Sequence, residues 1–509
     1  MTMRLDRHDQ ELARQIIDNW RLTPATFAHK ISRGSWIPAP HLRYISKRIA
    51  LGIAKGNARI IISAPPRHGK SQLSSIYTPA WVLENYPHYR TILAAYGADL
   101  AVGFSRQVRD IFHDPNNQHL LSTRLRRDAA KVDAFLTEAG GGMSAVGLGG
   151  PITGRGADVL LIDDYIKEIK EALSITTRDY IWNWFVTTAF TRLEPGGSCI
   201  ILATRWHSDD LIGRVLQNLA HEGWEYIEIP AIAEPNDILG RNEGEALFPE
   251  RYPIERLHEL KRTLGSIFFQ ALYQQKPVDE TKKMTDSRWF KSIEEIPHEE
   301  VWANQIKTAR VWDLAATAGG GDYTVGSRVS YNRVNGNTYI ENIKRGQWGP
   351  QLVEQKVQET AVIDGYDCEI LIEQEPGSAG IALVEHYKQK VLPGYRVTGI
   401  PVVVKKLIRA QPLLAAAEGG KVFILENSVW NEPFKREFDS FPGGENDDQV
   451  DTVAAAYTHL SGRKSLSASW GRDDSRRNSS TANSQQHKRA QSKAASGSRV
   501  GKVMWGRTR

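Results

Sequence analysis

Two cysteines in 509 residues cannot staple a chain of this length. Cys199 and Cys368 both lie inside apolar, strand-like runs, so they read as small buried hydrophobes of a reducing compartment. Neither a disulfide framework nor a zinc site is expected. Long apolar runs are also missing. No uninterrupted stretch approaches the roughly 18 residues that a membrane helix needs, and Met1 to Glu11 is charged with no signal-like apolar core. The expectation is a soluble, intracellular protein. No internal repeat is apparent. Net charge is scarce in the body of the chain as well. The formal charge is +6, but residues 463–509 hold twelve Lys/Arg against Asp473 and Asp474, a balance of +10 that leaves −4 for the rest. Any grip on nucleic acid in the body must therefore come from local patches. The Ser-, Gln-, Asn- and Gly-rich tail reads as disordered, and is either a sequence-blind attractor of phosphate or a solvated extension.

A chain of this length suggests two or three domains. Residues 1–55 read as helical, with an apolar rhythm through Leu12, Ile16, Ile17 and Trp20 and a second helix from about His41 to Lys55. From Arg59 onward, β-rich runs alternate with helical ones: Thr91 to Tyr96, Val132 to Leu136, Val159 to Ile162, Cys199 to Ala203 and Tyr226 to Ile229. Such alternation predicts an α/β fold, a parallel sheet with helices on both faces. Residues 243–300 break the pattern with Pro249, Pro253, Pro277 and Pro297 among helical fragments, and read as a linker or small subdomain. A second α/β block runs from about Thr308 to Leu460. The expected division is 1–55, 56–242, 243–300, 301–462 and the basic tail 463–509.

The strand Arg59 to Ser63 runs straight into Ala64-Pro65-Pro66-Arg67-His68-Gly69-Lys70-Ser71. This reads as a phosphate-binding loop whose first glycine is replaced by Ala64, the competing account being an ordinary βα turn. In such a loop backbone N–H groups wrap the phosphates, the lysine reaches the β/γ oxygens and the hydroxyl holds Mg²⁺. Upstream, Ser35-Trp36-Ile37-Pro38-Ala39-Pro40 offers either a wall for an adenine ring or a Trp that anchors a loop onto the core. Val159 to Ile162 is a buried strand ending in Asp163-Asp164. The first acid suits Mg²⁺ held through water, and the second suits orienting or deprotonating the attacking water. Arg67 could meet charge on the γ-phosphoryl, while Arg106, Arg109 and Arg155 are candidates for an arginine given to a neighbouring subunit. Thr204-Arg205 ends the strand Ile201 to Ala203, where a sensor of γ-phosphate would sit; a structural Arg–carboxylate pair is the competing account.

A second set of acids lies downstream. Asp313 follows Ala309 to Trp312, Asp322 follows a Gly319-Gly320-Gly321 turn, and Glu373 ends Glu369 to Ile372. Asp447, Asp448 and Asp451 open a helix, with Asp448 and Asp451 on one face. Acids on separate strand ends and a helix start can converge on hard divalent cations, and oxygen donors suit Mg²⁺ or Mn²⁺. Two ions would clamp the attacking water and the leaving oxygen of a phosphodiester. Taken alone, Asp447 reads as a residue favoured by the helix dipole.

In the order and spacing of these segments, with Thr204-Arg205-Trp206-His207, Trp312-Asp313-Leu314-Ala315 and Asp447-Asp448-Gln449-Val450-Asp451 among them, the chain resembles the large terminase subunits of tailed bacteriophages. The resemblance covers most of residues 30–462. It implies an N-terminal P-loop ATPase of the additional-strand type followed by a C-terminal ribonuclease-H-like nuclease. ATP hydrolysis would drive double-stranded DNA into the procapsid, and the nuclease would make the initiating and terminating cuts. By the same resemblance Lys70, Ser71 and Asp163 bind Mg-ATP, Asp164 is the catalytic carboxylate, Arg67 is the arginine within the loop and Thr204 is the coupling residue. Asp313, Glu373 and Asp448 match the nuclease triad, with Asp451 or Asp322 as further ligands. Asp164 departs from the Glu common at that position. The implied partners are a small terminase subunit, a portal protein and a homo-oligomeric ring, working in the host cytoplasm and at the portal vertex. The tail faces either DNA or portal. The rival readings are a helicase-nuclease and a nucleotide-binding scaffold without catalysis.

Overall fold

Two sheets, built from different halves of the chain, carry the candidate residues at their strand ends. The computed structural model describes residues 19–462 apart from 153, 280–281, 298, 301–303, 316–322 and 403–404. The expected helix through Leu12, Ile16 and Ile17, the glycine turn with Asp322, and the basic tail lie outside the described residues. Among the described residues no helix is long and apolar enough to cross a membrane.

The first sheet has eight strands in the order β3-β4-β5-β2-β6-β7-β1-β8. They are β1 (Arg59–Ser63), β2 (Arg90–Ala95), β3 (Leu125–Ala130), β4 (Ala134–Thr137), β5 (Gly142–Gly147), β6 (Ala157–Asp163), β7 (Leu193–Ala203) and β8 (Glu225–Glu228). From β5 through β8 neighbouring strands are parallel, and their centres read as unbroken apolar runs such as Ile60-Ile61-Ile62 and Val159 to Ile162, all buried. Continuous hydrophobicity is what a strand covered on both faces requires. Strand β7 lies between β1 and β6, so the phosphate-loop strand and the acid-bearing strand are not neighbours. That insertion is the additional-strand arrangement.

The edge departs from the all-parallel expectation. Strand β4 pairs antiparallel with both β3 and β5. Strand β5 hides in sequence behind Gly140, Gly141 and Gly142, which lower strand propensity. Packing requires the last two: a Cβ on Gly141 would lie 2.4 Å from the Tyr89 carbonyl oxygen, and one on Gly142 would lie 2.2 Å from that of Phe135.

Helix Pro40–Lys55 buries Leu42, Ile45, Ile49 and Ile53, a stripe at helical spacing, in the same core as Ile60 and Ile62. Helix Pro24–Ile31 starts at Thr23 with a capping box closed by Thr26. After the phosphate loop the chain winds as a π-helical stretch, Gln72–Tyr77, before the α-helix Thr78–Asn85. Pro79 sits in the first turn of that α-helix, where its missing N–H leaves nothing unsatisfied.

The second sheet runs β14-β13-β10-β11-β12-β15-β9. Strands β10 (Ile306–Asp313), β11 (Thr324–Asn332) and β12 (Thr338–Gly346) form an antiparallel meander. Strands β13 (Glu369–Gln374) and β14 (Val397–Pro401) add in parallel beyond β10, and β15 (Val422–Leu425) and β9 (Lys291–Ile293) add beyond β12. A meander whose first strand pairs in parallel with the fourth is the ribonuclease-H-like arrangement. Helix Asp448–Ser461 crosses β11, where the Ser327 and Thr452 hydroxyls stand 2.7 Å apart. Arg310, fully buried within β10, bonds Asp364 and, at 2.7 Å, the Gly326 carbonyl, so the strand that ends in Asp313 is tied to β11 and to the end of helix Pro350–Asp364.

The proline-interrupted region contains a long helix, Ile254–Gln274, broken at Gly265 with φ 76° and ψ 161°. Gly265 lies against Ala415, and Gln411 Nε2 donates to the Leu264 carbonyl at 2.9 Å. At its other end, Gln274 Oε1 accepts from Ile232 N at 2.9 Å and Gln275 Oε1 from Arg205 N at 3.3 Å. One helix therefore touches both sheets' surroundings.

Candidate active sites

Parallel α/β sheets place ligands at the carboxyl ends of their strands. In the first sheet Ser63 pairs with Ala203, and Asp163 pairs with Leu202. The phosphate loop, Thr204 and Asp163-Asp164 consequently leave the sheet side by side. Asp163 is fully buried; Ser75 Oγ donates to it at 2.6 Å and Ser71 Oγ at 3.3 Å. Burial first, then the adjacent Asp164 carboxylate, push the Asp163 acid up from its ordinary value, while Lys70 and the two serines pull it down. Asp164 has φ 43°, a left-handed conformation unfavourable for a side chain that bears a Cβ. That backbone aims its carboxylate back across the loop: Lys70 Nζ lies 2.7 Å from Oδ2, and Thr204 N donates to Oδ1 at 3.1 Å. Thr204 Oγ1 in turn donates to the Ala64 carbonyl at 3.1 Å. Thr204 thus bridges the start of the phosphate loop and the second acid.

The loop has supports that the sequence did not reveal. His68 Nδ1 lies 2.8 Å from the Pro66 carbonyl, and His41 Nε2 lies 2.8 Å from the His68 carbonyl. Burial pushes the two imidazoles down to about 3 and about 4, so both are neutral at pH 7. Tyr252, from the proline-interrupted region, stacks on His68 at 4.7 Å. Pro65 and Pro66 are buried, Arg67 is exposed at the crest with φ 61°, and Gly69 has φ 87°. Beside the loop lies a cavity of about 240 Å³ lined by Trp36, Leu42, Gly69, Gln72, Phe248 and Arg251. Trp36 is itself buried and meets Tyr77 edge-on at 5.5 Å, so it anchors its loop as well as walling the cavity.

Arg205 has a structural partner. It pairs with Asp210 at 2.7 Å, and both side chains are buried. Of the other arginines, Arg106 and Arg155 are exposed, and Arg109 bonds the Ala130 carbonyl and Asp110.

In the second sheet Asp313 ends β10, Glu373 lies near the end of the adjacent β13, and Asp448 opens the helix that crosses β10 and β11. Burial first, then Glu373 and Asp448, push the Asp313 acid up to about 7, against smaller opposing effects of Arg409 and Lys406. Asp313 thus lies within electrostatic reach of Glu373 and Asp448. Asp451 is also pushed up to about 7, first by burial. Arg409 donates to Glu373 at 3.1 Å and to Asp451 at 2.8 Å. Lys406 bonds Asp447 and lies 3.9 Å from Asp451. Neither cation stood out in the sequence, although their i, i+3 spacing on one helix was visible there.

Among the described residues no group of three or more His, Cys, Asp or Glu side chains is drawn together tightly enough to hold a metal ion. Lys406 and Arg409 stand among the acids instead. The donor set nevertheless fits a hard divalent cation: it is all oxygen, its repulsion already raises Asp313, and the buried Asp451 Oδ1 has no hydrogen-bond partner. Asp322 lies outside the described residues.

The raised Asp313 acid has a measurable consequence. A carboxyl whose folded value exceeds its unfolded one stabilises the fold while protonated; that contribution is complete below about pH 4 and lost as pH climbs toward about 7. In chelator, Asp313→Asn should therefore melt ~2–4 °C above the parent at about pH 8 and close to it at about pH 5. A gap equal at both pH values in scanning calorimetry would remove this account of the site.

A strand-inserted P-loop sheet and a ribonuclease-H-like sheet, each with acids at its strand ends, define a nucleotide-site and acid-site protein of two α/β parts. Residues 61–294 match the family model described as terminase large subunit, T4likevirus-type, N-terminal. Over that stretch, a little under half of its length, the chain is similar to the N-terminal part of large terminase subunits. No curated protein matches it. Similar solved structures include the large terminase of the thermophilic bacteriophage D6E, with 14% identity, 81% of this chain and 94% of that chain covered, and a TM-score of 0.40. The large terminase of bacteriophage HK97 has 12% identity, coverages of 81% and 94%, and a TM-score of 0.34. The nuclease domain of the bacteriophage SPP1 large terminase, with bound Mn, has 13% identity, coverages of 35% and 99%, and a TM-score of 0.25.

Proposed function

We propose that this chain is the motor and the nuclease of viral DNA packaging: it hydrolyses ATP to move double-stranded DNA into a procapsid and cuts concatemeric DNA at the start and end of packaging. The observation that carries this reading is the pairing, in one chain, of the Lys70–Asp164–Thr204 cluster with the Asp313–Glu373–Asp448 group. A nucleotide site alone fits many machines, and an acid cluster alone fits many nucleases.

In the ATPase the backbone of Ala64 to Gly69 wraps the phosphates, and Lys70 leaves Asp164 for the β/γ oxygens. Asp164, freed of that pairing, orients the attacking water, and Arg67 at the crest of the loop meets charge on the γ-phosphoryl. The cavity beside Trp36 and Gln72 takes the adenine. Thr204 reads the state of Asp164 through its N–H and passes it to the segment of Arg205. Ser71 and Asp163 hold Mg²⁺ there, and Asp313, Glu373, Asp448 and Asp451 hold Mg²⁺ or Mn²⁺, in two ions, in the nuclease. Bound at these sites, the ions neutralise phosphoryl charge and supply a water-derived nucleophile. The Asp and Glu side chains fix where that charge sits against the scissile phosphodiester.

We assign the ATPase to 56–242 with helices of 1–55 packed on it, the connecting region to 243–300 and the nuclease to 301–462. The tail 463–509 is left to DNA or portal contact. The working assembly is a ring of copies on the portal, served by a small subunit that selects DNA, in the host cytoplasm. The test is packaging itself. Purified protein with portal-bearing procapsids, linear DNA and ATP should yield nuclease-protected DNA, and none without ATP. No protection, together with neither ATP turnover nor Mn²⁺-dependent plasmid cutting at any salt, would replace this reading with a nucleotide-binding scaffold.

A further inference from the structure

Helix Lys406–Glu418 is joined to both candidate sites through its first turn. Lys405, its N-cap residue, donates from Nζ to the Leu173 carbonyl at 2.6 Å. Leu173 ends the segment that leaves β6 at Asp164, and Tyr165, Ile166, Ile169, Ala172 and Leu173 of that segment are buried. A segment so embedded moves with the acid at its head or hardly at all. On the far side, the next residue, Lys406, holds Asp447, and Arg409 holds Glu373 and Asp451. Arg409 N donates to the Lys405 carbonyl at 3.1 Å, so the residue tethered to the ATPase and the residue gripping the acids are one helical turn apart. A second connection runs from Arg205 N through Gln275 to helix Ile254–Gln274. That helix contacts the same nuclease helix through Gln411 and Ala415.

We propose that Lys406 and Arg409 are positioning residues that hold the nuclease acids out of metal-binding geometry, and that the Lys405–Leu173 contact lets nucleotide at the ATPase release them. This rests on the nuclease reading above. Without nucleotide, Lys70 is engaged by Asp164, the segment to Leu173 is fixed, and the two cations remain among the acids. Phosphates that draw Lys70 away free Asp164, shift the segment and its Lys405 anchor, and withdraw the cations from Glu373, Asp447 and Asp451. The charge balance of the acid cluster then favours a divalent ion. The coupling requires a two-state element biased from both ends, and the helix with its two tethers supplies one.

The test uses the full-length protein and reads Mn²⁺ binding by electron paramagnetic resonance, with and without a non-hydrolysable ATP analogue. The parent should bind Mn²⁺ at the nuclease about fivefold more tightly with the analogue, the lower end of ordinary coupling. Asp313→Asn identifies which Mn²⁺ belongs to that site. Lys405→Met removes the donor and keeps the stem. It should reduce the fivefold response to less than about twofold while ATP turnover stays within about twofold of the parent. Lys405→Arg, which can still reach the Leu173 carbonyl, should restore the response. A Lys405→Met protein with the parent's nucleotide response, or a parent with none, overturns the proposal and leaves the nuclease reading standing. A parent whose Mn²⁺ binding and plasmid cutting are both unchanged by Asp313→Asn overturns the nuclease reading, and the proposal with it.

Discussion

Lys70→Ala should reduce DNA-stimulated ATP turnover by about 10³-fold or more, while Mn²⁺-dependent plasmid cutting by the same protein stays measurable. Two losses combine at this position. The buried ammonium is placed to meet the phosphates from inside the loop, and electrostatic stabilisation of a transferring phosphoryl is the largest part of such catalysis. Lys70 also lies 2.7 Å from Asp164, and its charge offsets the mutual repulsion of Asp163 and Asp164. Without it Asp163 shifts further toward the protonated form, which cannot serve Mg²⁺. Lys70→Arg should not rescue turnover, because a planar fork does not fit where a compact ammonium is enclosed. Cutting persists because Asp313, Glu373 and Asp448 stand on β10, β13 and the C-terminal helix, none of which contributes to the first sheet. ATP turnover by malachite-green assay, beside plasmid nicking on gels, measures both arms. Turnover within about tenfold of the parent would mean that the loop is a structural strand-to-helix turn.

The features legible in sequence are those carried by contiguous chain. Arg59 to Ser71 is strand then loop without interruption, and Val159 to Asp164 is strand then acids, so composition and order reveal them together. Asp313 and Glu373 were legible for the same reason, each ending an apolar run. What stayed hidden depends on residues brought together from distant positions. His41 supports a loop residue 27 positions later, and Arg409 holds acids 36 and 42 positions away. Nothing local marks such pairs. The edge of the first sheet was hidden differently: Gly141 and Gly142 are needed because backbone passes too close for a Cβ, and they dilute the apolar signal of β5, which is absent from the runs read as strands. Trp36 is observed as the anchor of its loop, its buried ring edge-on to Tyr77, and it also lines a cavity. For Arg205 the structural account is the observed one, with Asp210 as its partner, although its N–H reaches Gln275.

Asp313→Asn should abolish cutting, by about 10³-fold or more, and leave ATP turnover within about twofold. The size follows from what the carboxylate does at its position. Substitutions one shell out from a metal typically lower affinity or activity by about 10–100-fold, and a ligand that bridges strand to ion must exceed that. Asn keeps the shape and one acceptor oxygen but cannot carry charge, so the isostere separates charge from packing. In the metal-free protein the same change relieves repulsion, because Asp313 is raised by Glu373 and Asp448 after burial. The variant should therefore be inactive and, at about pH 8 in chelator, more stable than the parent. A residue conserving only the fold cannot produce that combination, since losing a structural carboxylate lowers stability as it lowers activity. The analogous loss at Asp451 should be milder. Its Oδ2 is engaged by Arg409 and only Oδ1 is unpartnered, so Asp451→Asn removes one donor from a set of four. If Asp313→Asn cut plasmid within about tenfold of the parent while Asp451→Asn did not, the metal would sit at the helix rather than at the end of β10.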